Sequence, residues 1–139
     1  MSLGKFASLY GVCTAVFFVL DFIWLITATP RIYAPKLGDL LAEQPRLGVA
    51  AVFYLVYLVG LVLLAVIPGI ESGSLSGALW RGALFGFIAY ATYDLTNLAT
   101  IRNWPVDVTI IDLVWGTSLN TVIAAAGYLA GTRWFGLGG

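Results

Sequence analysis

The chain has 139 residues, 60% of them hydrophobic and 10% charged, with a mean hydropathy of +0.95; soluble domains carry about 25% charged residues, so this composition belongs to a polytopic membrane protein. Seven Lys and Arg balance seven Asp and Glu, which leaves no charged field for nucleic acid or another polyanion. With no His and a single cysteine, Cys13, the sequence excludes a His-ligated haem, a Cys/His zinc site and an intramolecular disulfide, and neither a metal nor a cofactor is expected.

The length suits one integral membrane domain, and the apolar runs predict an all-α, four-helix transmembrane bundle with antiparallel neighbours. The first span is predicted over residues 6–28. It is too long for the apolar core of a signal peptide, about 7 to 15 residues, and it contains Asp21. Thr14, Asp21 and Leu25 share one helical face, with Trp24 three residues after the acid, so that face is expected to point into the bundle. Residues 29–47 hold Pro30, Pro35 and Pro45 among Arg31, Lys36, Asp39, Glu43 and Arg46. They read as a surface loop with a short interfacial helix, a lid over a site being the alternative. The second span, residues 48–67, is the most apolar. Tyr54 and Tyr57 are its polar handles and Pro68 is expected to end it, ahead of a turn-rich loop, P-G-I-E-S-G-S-L-S-G.

The third span, residues 80–101, carries Asp94 well inside it. A central Asp costs roughly 2.5 to 3.5 kcal/mol on insertion scales, so such a helix turns its acid toward partners or water. Tyr90, Asp94 and Asn97 follow at helical spacing with Tyr93 beside them, and Tyr90 and Asn97 are the expected hydrogen-bond partners of the acid. Gly82 and Gly86 form a G-x-x-x-G that favours close helix approach, and with A-A-A-G in the fourth span it leads us to expect self-association, the alternative being that both stripes face each other inside one chain. The short link R-N-W-P-V-D makes the third and fourth spans the closest pair. The fourth span, residues 108–131, repeats Asp112, Trp115, Gly116, Leu119 and Asn120 at three- and four-residue steps. Trp80, Trp104 and Trp134 suit the membrane interface.

With four spans, the first and third loops share one face of the membrane. At 1.5 Å per residue, Asp21 and Asp94 lie about 10 Å inside that face and Asp112 roughly 6 Å inside it. Tyr54, Tyr57, Asn97, Trp24 and Trp115 occupy the same half, and Arg102 sits at the mouth. A polar cavity open toward the first and third loops is the economical arrangement. Its candidate ligand and proton site comprises Asp21, Asp94, Asp112, Asn97, Tyr90, Tyr93, Trp24, Trp115 and Arg102, with no residue assigned as catalytic. Tyr54, Tyr57, Thr14, Thr92 and Thr96 are expected to be structural hydrogen-bonding groups. The acids share a local pattern, L-D-F-I-W, Y-D-L-T-N and I-D-L-V-W, which hints at two duplicated helix pairs, although the second span has no matching acid.

The run A-Y-A-T-Y-D-L-T-N-L-A-T-I-R-N-W-P, followed by I-D-L-V-W-G and preceded by L-D-F-I-W, resembles a bacterial family of small membrane proteins, domain-of-unknown-function family 2177. The likeness extends over nearly the whole chain and implies an integral protein of the bacterial inner membrane. It carries over no activity, cofactor or catalytic residue.

Three functions fit these residues. The first is a small permease or ligand-binding protein in which one intramembrane Asp exchanges a proton for its ligand. The second is an accessory subunit that binds a partner or an apolar molecule without turnover. The third, ranked lowest, is a membrane enzyme acting on a lipid or isoprenoid-like substrate through carboxylate acid and base chemistry; the chain has no Ser-His pair and no phosphate loop. Orientation is not decided by charge, because Lys5, Arg81 and Arg133 on one side nearly balance Arg31, Lys36, Arg46 and Arg102 on the other.

Overall fold

In the computed structural model, which describes residues 1–138, six α segments join into four long rods, with no strand among the described residues. Helix α1 (Leu3–Ala28) begins at Ser2, whose hydroxyl accepts the Lys5 N–H at 3.2 Å, one of the orphan donors of a helix start. The first rod does not stop at Pro30. A π turn (Thr29–Tyr33), helix α2 (Ala34–Leu37) and a 3-10 turn (Gly38–Leu40) carry it onward, so much of the expected surface loop is helical. The second rod comprises α3 (Leu47–Leu61), a second π turn (Val62–Val66) and α4 (Ile67–Glu71). Pro68, expected to end it, lies inside it. A proline lacks the N–H of the helical ladder and crowds the carbonyl one turn back. A wider π turn immediately before Pro68, and one around Pro30, relieves that conflict without breaking the rod.

Only Ser72, Gly73 and Ser74 separate α4 from α5 (Leu75–Thr100), so the turn-rich loop is much shorter than expected. Ser74 caps α5 by accepting the Gly77 N–H at 3.1 Å. A tight turn with Asn103 at φ 63° leads through Pro105 into α6 (Val106–Arg133).

Helices α5 and α6 form the most extensive contact, as the short link requires, and small residues set its register. A Cβ on Gly82 would lie 2.6 Å from the Ala124 Cβ, one on Gly86 would meet Gly116 and Asn120, and one on Gly116 would enter the Tyr90 ring. The contacts step by four residues in opposite directions along the two helices, which makes the pair antiparallel. On α6, Gly127 faces Cys13 of α1 and Val66 of the second rod, and Gly131 faces Leu9 and Ile70. Both small-residue stripes are therefore occupied inside the chain, which removes the ground on which self-association was expected. By contrast α1 and α3 touch only sparsely, so the α5–α6 packing is not repeated by an α1–α3 pair.

The main core lies at the end of the bundle that holds both termini. There Leu9, Cys13 and Phe17 pack with Leu58, Leu61, Val66 and Ile123. The rods Leu3–Leu40, Leu47–Glu71 and Val106–Arg133 are long and apolar enough to cross a membrane. At 26 residues α5 is as long as α1 but more polar. Its outward threonines satisfy themselves: Thr92 donates to the Ile88 carbonyl at 2.6 Å, Thr96 to Thr92, and Thr100 to Thr96 at 2.8 Å. Hydroxyls bonded within their own helix present mostly methyl groups outward.

Candidate functional site

The other end of the bundle, where the first and third connections lie, is built differently. Lys36 of α2 pairs with Asp107 at the start of α6, and Leu37, Trp104 and Val108 form a small second core against Tyr33 and Leu98. Trp104, expected as an interfacial anchor, is buried there, with its indole N–H donating to Thr109 Oγ1 at 3.1 Å. Trp80 and Trp134 are exposed, and Arg81 lies over the Trp80 ring at 4.5 Å.

Between this cap and the main core lies a cavity of about 760 Å³, within the usual size range of small-molecule sites. Asp21, Trp24, Tyr90, Tyr93, Asp112 and Trp115 all line it, contributed by α1, α5 and α6. Trp24 and Trp115 stack face to face, centroids 4.4 Å apart and planes 9° from parallel. Asp21 lies beside the Trp115 indole, yet Trp115 Nε1 completes no hydrogen bond. Tyr93 stands edge-on to Trp104 at 5.8 Å.

Tyr33 joins the two sides. Its hydroxyl accepts the Trp24 indole N–H at 3.1 Å and donates to Asp112 Oδ1. The sequence reading missed this residue, because Pro30 marked the end of the helix. The available signal was the helical spacing of Tyr33 and Leu37 beyond that proline. Tyr57 and Asn120 form a second polar link, the tyrosine donating to Asn120 Oδ1 while Asn120 Nδ2 donates to the Gly116 carbonyl at 2.7 Å. That link ties the second rod to α6.

Asp94 is fully buried and does not line the cavity; it sits behind Asp112, within hydrogen-bonding reach of that carboxyl. Neither of its oxygens meets a protein donor. The expected partners are engaged elsewhere. The Tyr90 ring is drawn onto Gly116 across the helix contact, and Asn97 lies beside Tyr93, outside the cavity lining. Residues on one face of a helix point the same way, and here the pull of the facing helix decides which of them meet. Arg102 is exposed, lines no part of the cavity and makes no ion pair among the described residues, so the mouth position expected for it is not observed. No cluster of metal-ligating side chains is found among the described residues.

Apolar rods enclosing an acidic, aromatic-walled cavity define the chain as a helical membrane protein. Its sequence matches a family model over residues 6–129, and the chain belongs to that family, described as Predicted membrane protein (DUF2177). No curated protein and no solved structure matches it.

Proposed function

We propose that the chain is a single integral membrane domain of four spans, α5 included, that binds or transports a small ligand in this cavity in exchange for a proton. The observation that carries the reading is the Asp94–Asp112 pair. Two buried carboxyls within hydrogen-bonding reach, with no cation beside them, are reconciled when they share a proton, which gives one the donor the other lacks. Glue between helices needs no such pair, since neutral groups avoid the cost of a buried charge. Asp112 lines the cavity while Asp94 stands behind it, so a ligand reaching Asp112 competes directly for the shared proton. Tyr33 donates to Asp112 Oδ1 and is itself held by the Trp24 indole N–H.

The accessory-subunit and enzyme readings draw no support of this kind from the cavity, and self-association is not needed to complete it. Membership in a family read as bacterial supports placement in the inner membrane.

Mass spectrometry of small molecules co-purified with the unlabelled protein tests the reading directly. A molecule retained by the wild type and lost in Asp112→Asn, with proton uptake or release on its removal, is the expected result. An empty wild type, together with an Asp94→Asn variant that matches it in proton exchange across pH 5 to 9 (about two units either side of neutral, wide enough for shifted carboxyls), would sink it.

A further inference from the structure

The geometry points to a lipophilic amine as the ligand, its cationic head among Asp21, Asp112 and the tryptophan stack and its apolar tail leaving the bundle sideways between α3 and α5. This rests on the reading that the cavity takes a ligand, and it adds the chemical class and the route.

The lining decides the charge. Two carboxyls face the cavity and no Lys or Arg lines it; Lys36 is engaged with Asp107 and Arg102 is outside. An anion would meet acids with no counter-charge. A cation meets complementary charge, and the Trp24, Trp115 and Tyr54 rings offer π faces of the kind that hold ammonium groups. The exchange also balances: one positive charge enters as the ammonium, and one leaves as the proton shared by Asp94 and Asp112.

The walls decide the route. From Leu47 to Val56 no residue of α3 is buried; Tyr54 packs on Phe17 of α1, and the bundle only partly covers the rest of this stretch. Beside it lies a second hollow of about 440 Å³, lined by Phe53, Val56, Tyr57, Ala89 and Thr92. All but Val56 also line the main cavity, so the two are continuous. Phe53 is 51% and Val56 67% exposed, on a helix apolar enough to face acyl chains. The cavity therefore opens toward the bilayer interior, where an apolar tail lies at little cost.

The test uses the purified full chain in nanodiscs and three probes with one tail: decyltrimethylammonium, decanol and decanoate. Equilibrium binding is measured above the partition into empty nanodiscs. The ammonium is expected to bind saturably at one site, at least tenfold tighter than the other two, to weaken as pH falls and the acids protonate, and to lose tenfold or more in Asp112→Asn. Val56→Trp, placed in the cleft but outside the cavity lining, is expected to slow association and dissociation together and leave Kd unchanged. Saturable binding of decanol or decanoate as tight as the ammonium overturns the amine class while leaving a ligand site in place. Binding of none of the three also overturns it, and the co-purified molecules then judge the ligand-site reading separately. Unaltered rates in Val56→Trp overturn the lateral route.

Discussion

Asp94 and Asp112 meet across the α5–α6 contact one helical step beyond the place where Tyr90 lies on Gly116. The same stepping places Gly86 on Asn120 and Gly82 on Ala124. The acid pair is therefore the fourth rung of a ladder whose other rungs are glycines and their partners. Small residues bring the two backbones close, and closeness puts the carboxyls within reach of one another.

Substituting Asp94 separates a shared proton from a packing role. Asp94→Asn keeps the shape and supplies a permanent N–H donor toward Asp112, so its thermal midpoint in detergent is expected to match the wild type, while its proton exchange is lost. Asp94→Leu leaves Asp112 without its buried partner and is expected to be less stable by about 1–3 kcal/mol. Equal stability of the two variants would speak against the pair.

Tyr33→Phe removes the hydroxyl that accepts from Trp24 and donates to Asp112. The ring still packs against Leu37 and Trp104, so the chain folds, with an expected loss of about 1–2 kcal/mol. Because Trp24 stacks on Trp115, intrinsic tryptophan emission is the direct readout. An unchanged spectrum would mean that the hydroxyl bridge does not hold the stack.

Replacing Gly86 with Ala forces a Cβ against the Gly116 carbonyl and the Asn120 side chain. Backbone cannot yield as a flexible side-chain end can, so a loss of about 1–3 kcal/mol is expected, and more for Gly86→Leu. The effect should appear in thermal melting and leave the wild-type mass in mild detergent unexplained by this stripe. A Gly86→Leu variant that stays folded but changes its oligomeric mass would return the stripe to an interface between copies.

Labelling tests the topology. Thiol reagents confined to one side should reach Lys5→Cys and Arg133→Cys together and Lys36→Cys only from the opposite side, because Leu9 and Gly131 pack at one end while Lys36 and Asp107 meet at the other. Cys13 is fully buried among Gly127 and Val66 and should stay silent in the folded chain. Reaction of Lys5→Cys and Arg133→Cys from opposite sides would end the four-span reading.

Composition and helical periodicity by themselves determined the class and the four rods, because hydropathy and rise per residue are local properties of one helix. They also placed six of the nine candidate residues on the cavity wall. What they could not determine was which side chains meet across helices. That depends on register between rods, set here by Gly86 and Gly116 admitting Asn120 and Tyr90, and it turned Tyr90 and Asn97 away from Asp94 and brought Asp112 to it. Nor could local rules foresee that π turns carry helices through Pro30 and Pro68, since a proline's ordinary effect is to stop one. Passage through Pro30 is what delivers Tyr33 to Asp112, and the Trp24 indole N–H together with the packing of α2 against the start of α6, through Leu37, Trp104 and Val108, holds it there.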